Sequence, residues 1–176
     1  MIRIGEVQDL KIVKKTDFGV YLGNEEERVL LPRKQVPENV SIGDTVTVFI
    51  YRDSQDRLLA TTNKPALVLG EVARLEVKDT GKIGAFLDWG LEKDLFLPFK
   101  EQTYRVHPGD NCLVALYVDK SSRLCATMNV YKYLRTTTQY KRGDMVSGTA
   151  YQYIEKFGMY VAGDDMYQGL IPKKEC

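Results

Sequence analysis

The sequence predicts an all-β chain of small closed antiparallel barrels in tandem, and three observations predict it. A set of short motifs recurs nearly three times, each complete copy reads as five short strands, and no segment carries a long helical stripe. Gly5-Glu6-Val7 returns as Gly70-Glu71-Val72 and, loosely, as Gly148-Thr149-Ala150. Phe18-Gly19-Val20-Tyr21-Leu22 returns as Ile83-Gly84-Ala85-Phe86-Leu87 and as Phe157-Gly158-Met159-Tyr160-Val161. Leu30-Leu31-Pro32 returns as Phe96-Leu97-Pro98 and Leu170-Ile171-Pro172. Spacing repeats with the motifs: Gly5 to Gly19 and Gly70 to Gly84 are both 14 positions, and Pro32 to Gly43 and Pro98 to Gly109 are both 11. A unit of about 65 residues is close to the smallest that buries a self-sufficient core. Closing each sheet on itself removes the exposed edges that so small a unit cannot otherwise protect.

Taken in order, the first copy predicts strands at Arg3–Val13, Gly19–Leu22, Arg28–Leu31, Thr45–Tyr51 and Arg57–Thr61. All are rich in Val, Ile, Leu, Tyr and Thr and are punctuated by Gly, Asp, Asn and Pro. Val46, Val48 and Ile50 alternate with Thr45, Thr47 and Phe49, which marks one face of the fourth strand for the core. The second copy predicts Gly70–Val77, Ala85–Asp88, Asp94–Leu97, Asn111–Val118 and Arg123–Met128. The stretch after each proline, Arg33–Val40 or Phe99–Val106, is expected to plug one barrel end. Residues 1–64 and 65–130 are thus two domains, 131–142 a linker, and 143–176 the first half of a third barrel. That third barrel is expected to be incomplete, because the chain stops where its fourth and fifth strands should begin. On this reading the chain is a fragment or a truncated relative, with an open edge suited to self-association or a protein partner.

Composition narrows the function classes. Charge is balanced throughout: 10 Lys/Arg face 10 Asp/Glu in residues 1–64, and 9 face 9 in residues 65–132. A nucleic-acid face would therefore need its positive charge sorted to one side of a module. No run approaches the roughly 18 apolar residues of a membrane span, and Met1-Ile2-Arg3-Ile4-Gly5-Glu6 lacks the apolar centre of a signal peptide, so no membrane and a cytoplasmic location are expected. Cys112, Cys125 and Cys176 form no metal spacing, and Cys112 and Cys125, inside apolar strand patterns, read as reduced core thiols. The single histidine, His107, sits in a turn sequence. With no Ser-His-Asp set, phosphate-binding glycine loop or metal cluster, neither catalysis nor a cofactor is expected.

At this point the motifs resemble a known family. Gly-x-Val, Phe-Gly-x-Tyr-Leu, Leu-Leu-Pro, Gly-Asp and Arg-Leu-Leu-Ala-Thr are similar to tandem ribosomal-S1-type RNA-binding domains, five-stranded antiparallel barrels of the OB-fold class. Proline after the third-strand apolar pair, in all three copies, resembles the conserved virulence factor B family of bacterial RNA-binding regulators. Its members carry three such domains and a winged-helix domain, which does not follow here. The resemblance implies binding of single-stranded RNA, or single-stranded DNA, with low sequence preference, in post-transcriptional or virulence regulation. A protein-interaction module using the same barrel faces is the alternative.

Candidate site residues follow from the motifs and the resemblance together. Phe18 and Tyr21, three apart, would point to opposite faces of a regular strand, but the glycine between them permits a kink that brings both rings to one side. Two such rings make a stacking platform for bases, the alternative being that one ring of each pair belongs to the barrel core. Phe157 and Tyr160 repeat the pair, whereas Ile83 with Phe86 is a weaker version. Asp53 with Arg57, and Asp119 with Arg123, recur as Asp-x-x-x-Arg. The resemblance sets the arginine beside the aromatics, on phosphate or base, whereas the residues alone allow an ion pair closing a hairpin turn. Arg33, Lys34, Lys100 and Lys173 supply positive charge after the prolines, as phosphate contacts or, more commonly for such pairs, as solvated surface charge, and many S1-type domains have a histidine instead of the proline. Trp89 is expected to pack against a neighbour rather than stack on a base, and the Tyr131–Tyr140 segment to dock the modules.

Overall fold

In the computed structural model the described residues are 2–134 together with the strands 148–154, 158–163 and 167–172. The first copy forms β1 (Val7–Thr16), β2 (Gly19–Gly23), β3 (Arg28–Pro32), β4 (Thr45–Arg52) and β5 (Leu58–Thr61). The second forms β6 (Val72–Thr80), β7 (Gly84–Asp88), β8 (Leu95–Pro98), β9 (Asn111–Val118) and β10 (Leu124–Thr127). A one-turn 3₁₀ segment follows each proline, Arg33–Gln35 and Phe99–Glu101, and β11 (Gly148–Ile154), β12 (Gly158–Gly163) and β13 (Tyr167–Pro172) complete the order.

The first five strands close into a barrel in the order β1-β2-β3-β5-β4. One feature departs from the antiparallel barrel expected: β3 pairs β5 in parallel, Leu30 opposite Leu59, so the sheet is mixed. The reason is topological. The long connection from Arg33 to Asp44 carries the chain across the barrel end, so β4 returns beside β1 and β5 meets the free edge of β3 running the same way. The second copy forms a five-stranded sheet in the equivalent order, β10-β9-β6-β7-β8, which ends at β8 and β10 among the described residues. β11, β12 and β13 form a three-stranded antiparallel sheet.

Alternation dictates which side chains go in. Ile12, Val20, Leu22, Val29, Leu31, Val46, Val48, Ile50 and Ala60 make one buried cluster inside the first barrel. Each fully buried aliphatic side chain of this kind contributes about 1.5–3 kcal/mol. The core face read from Val46, Val48 and Ile50 is the inner face, but Phe49 and Tyr51 on the opposite face are buried as well. The plug is fastened by polar contacts at the last strand. Gln35 Oε1 accepts from the Thr61 hydroxyl at 2.5 Å and from the Thr62 amide at 2.9 Å. Glu101 Oε1 accepts from the Thr127 hydroxyl at 2.7 Å in the second copy. Both threonines are buried, so an unpaired hydroxyl there would be costly.

The first hairpin of each copy slips by one residue at an equivalent place. The register jumps between Ile12 and Lys14, between Val77 and Asp79, and between Ala150 and Gln152. A bulge of this type re-aims the side chain that follows it.

Compact units do not follow the repeat boundaries strictly. One consists of Met1–Leu69 with Gly90–Lys93 and Val118–Leu124; the other comprises Gly70–Trp89, Asp94–Tyr117 and Cys125–Cys176. In the second, Leu134 packs with Leu113, Ala115 and Val130, so the start of the expected linker lies against its own sheet.

Candidate nucleic-acid interface

On the outside of the first barrel, pairing lines up side chains from successive strands. Lys14 of β1 stands opposite Tyr21 of β2, Tyr21 opposite Leu30 of β3, Leu30 opposite Leu59 of β5, and Leu59 opposite Tyr51 of β4. Val20, Leu22, Leu31, Ala60 and Ile50, their sequence neighbours, are in the core, so the row itself faces outward. A solvated barrel wall is normally polar; this row is aromatic and aliphatic for four positions. Tyr51 is its closed end. Burial, then the carboxylates of Glu92 and Asp53, push its hydroxyl above the ordinary tyrosine value.

Neither Phe18 nor Tyr21 enters the core. Phe18 lies in the tight turn between β1 and β2 and is 78% exposed, while Tyr21 is half-buried on the outer face. The register irregularity falls on β1, beside Tyr21, rather than at the glycine of β2. Gly19 instead permits close approach: at φ +149° it sits so near β3 that an added Cβ would lie 2.1 Å from the Leu31 carbonyl oxygen. The turn is held by the Arg33 amide donating to the Phe18 carbonyl at 2.8 Å and the Phe18 amide donating to the Thr16 hydroxyl at 3.2 Å.

Asp53 organises the β4–β5 turn. Its Oδ1 accepts from the Gln55 and Arg57 amides, each at 2.9 Å, and its Oδ2 from Arg57 Nε at 2.9 Å. Partial burial raises the carboxyl, and the hydrogen bonds from Arg57 and Gln55 with the Arg57 charge outweigh it and hold Asp53 below the ordinary carboxylate range. Asp119 repeats the turn, accepting from the Ser121 and Arg123 amides at 2.8 and 3.0 Å. Of the two readings of the Asp-x-x-x-Arg motif, the ion pair that closes the hairpin is present here, and the Arg57 side chain stays 70% exposed just before β5.

Other candidates are engaged elsewhere. Lys34 pairs with Glu92, and Arg123 Nη2 bonds Asp56 Oδ2 at 2.7 Å, both within the first compact unit. Arg33 lines a cleft of about 440 Å³ with Lys15, Asp17, Val36 and Asn39, next to the turn that carries Phe18. Phe86 packs its ring 5.5 Å from Phe96, the residue directly opposite, and Ile83 is exposed in the place of Phe18. Trp89 is only 2% exposed and cannot present its face to a base. Phe157 and Lys173 lie outside the described residues, and of Tyr160 only the strand position, opposite Gln152, is described. Cys112 and Cys125 are buried free thiols, and burial followed by the Asp110 charge pushes Cys112 up to about 11, which makes it a poor nucleophile at neutral pH. Among the described residues no group of three or more His, Cys, Asp or Glu could hold a metal, and no helix is long and apolar enough to cross a membrane.

The sequence reading missed two parts of this wall. Leu30 and Leu59 look like core residues until the burial of their neighbours Leu31 and Ala60 shows them facing out. Lys14 was hidden by the bulge, since strict alternation from Ile12 would turn it inward.

Comparison with known proteins bears on the family and the fold. The S1 domain family matches residues 4–63 and 69–129. Uncharacterized protein YitL of Bacillus subtilis (strain 168) is 31% identical over 174 residues, covering 93% of this chain and 58% of its own length. Conserved virulence factor B of Staphylococcus aureus (strain N315) is 25% identical over 128 residues, 69% of this chain and 43% of that protein. The chain therefore spans about half the length of the curated relatives it matches. A crystal structure of a Streptococcus pneumoniae TIGR4 multidomain protein with nucleic acid binding domains superposes with a TM-score of 0.65 at 19% identity, over 98% of this chain and 64% of that one, and supports the fold.

Proposed function

This chain belongs to the S1 domain family, and from that premise we propose that its first barrel binds single-stranded RNA with low sequence preference. The carrying observation is the outward row Tyr21, Leu30, Leu59, together with the solvent-exposed ring of Phe18 in the turn that leads into β2. Bases stacked on such a surface gain about 1–3 kcal/mol each, and because every base has a flat face the gain hardly depends on sequence. Phe18 and Tyr21 act as the platform, and Arg57 and Arg33 flank it as phosphate contacts. Asp53 shapes the turn that carries Arg57. Phe86 with Phe96 is the weaker counterpart, and Phe157, Tyr160 and Lys173 are the corresponding candidates of the third copy. The proposed setting is the cytoplasm, in post-transcriptional regulation of the kind the virulence factor B resemblance implies, without catalysis.

Fluorescence anisotropy with a labelled oligouridine of about ten nucleotides, repeated across salt concentrations, tests the reading. Binding should weaken with salt at a log–log slope of about −0.7 per neutralised phosphate, and matched oligothymidine should report how much the 2′-hydroxyl matters. Absence of binding at low salt, or a salt-independent affinity, would contradict it.

A further inference from the structure

We propose that the residue following the bulge in the first strand of each copy decides which barrel accepts a nucleic-acid strand, Lys14 admitting it and Asp79 excluding it. The inference rests on the RNA-binding reading above and adds a residue to it. The bulge places Lys14 opposite Tyr21 and Asp79 opposite Phe86. Cross-strand partners on one face have Cβ atoms about 4.5–5.5 Å apart, so each charge stands beside its ring. The Lys14 side chain is exposed and, among the described residues, makes no hydrogen bond or ion pair. Asp79 is exposed too, and its Oδ1 accepts only the adjacent Thr80 amide at 2.9 Å.

The neighbouring outward pair reverses in the same sense. Lys11, the last outward residue of β1 before the bulge, corresponds to Glu76, which stands opposite Asp88. The aromatic end of the first wall is therefore basic where that of the second is acidic, even though each copy is neutral overall. Lys78 offsets part of the acid by pairing with Asp94 at 3.3 Å. The signs cross back on both sides, Asp9 corresponding to Arg74 along the strand and Asp17 to Lys82 in the turn, so the sorting is confined to the strand positions opposite and next to Tyr21 and Phe86. A base stacked on Tyr21 brings its own phosphates within reach of Lys14; on Phe86 the same phosphates would meet Asp79.

The test measures oligouridine binding of the full chain at several salt concentrations for wild type, Lys14→Gln, Lys14→Asp, Asp79→Lys and Tyr21→Ala, with thermal melts confirming that these surface variants fold. Lys14→Gln should make the salt slope shallower by about 0.7 and weaken binding about five- to tenfold at low salt, the effect of losing one phosphate contact. Lys14→Asp should weaken it further, and Asp79→Lys should strengthen binding and steepen the slope. If Tyr21→Ala weakens binding while Lys14→Gln keeps wild-type affinity and slope, this proposal is overturned and the RNA-binding reading stands. If wild type does not bind, both fall.

Discussion

Replacing Phe18 and Tyr21 together with alanine is expected to weaken oligouridine binding at least about 30-fold, with little loss of stability. The size follows from two stacking contacts of about 1–3 kcal/mol each. Stability should hold because neither ring contributes to the inner cluster formed by Val20, Leu22, Leu31 and their partners. The parallel substitution of Ile83 and Phe86 is expected to have a smaller effect on binding. Phe86 gives part of its face to Phe96, and Ile83 has no aromatic face to offer. Equal losses from the two pairs, measured by anisotropy at one salt concentration, would remove the ranking of the barrels.

The largest stability effect is expected at the glycine that opens the second strand. Gly19→Ala would set a methyl group 2.1 Å from the Leu31 carbonyl oxygen and 2.9 Å from the Arg33 amide nitrogen, both backbone atoms that cannot swing away. The backbone at φ +149° is itself poor for any residue with a Cβ. Gly84→Ala repeats the clash, at 2.4 Å from the Leu97 carbonyl oxygen. A loss of about 3 kcal/mol or more is expected for each, since the β2–β3 or β7–β8 pairing must open to relieve the contact. Gly81→Ala serves as the control. Its Cβ would meet only the edge of the Phe86 ring, at an ordinary 3.7 Å, and its backbone is not in the left-handed region. Urea unfolding of the three variants checks this, and a Gly19→Ala protein as stable as Gly81→Ala would contradict it.

Much of the fold was legible because the repeat acted as an internal alignment. Motif spacing placed strands β1 to β10 to within a few residues, since Gly, Pro and Asp punctuate them in the same order twice. What could not be read was pairing. Nothing local in Leu30 or Leu59 says that their strands meet in parallel, because that contact depends on how the long Arg33–Asp44 connection crosses the barrel. The site was legible in the same uneven way. Phe18 and Tyr21 stand out as aromatics around a glycine, but Gly19 is there to let two strands approach, and the register change lies on the other strand of the hairpin. Charge was the hardest property to read. Segment totals cancel, and only the one-residue slip shows that lysines gather beside one ring and carboxylates beside the other. Comparing the copies at their constant offset sets Lys14 against Asp79, a signal present in the sequence that becomes meaningful only once both are known to face outward.

Photocrosslinking of an oligouridine bearing 5-bromouridine, followed by peptide mapping, tests the central claim most directly. The account predicts adducts on the peptides carrying Phe18 and Tyr21, lost when both rings are removed. Adducts concentrated at Phe86 and Phe96, or unchanged in the double variant, would contradict it.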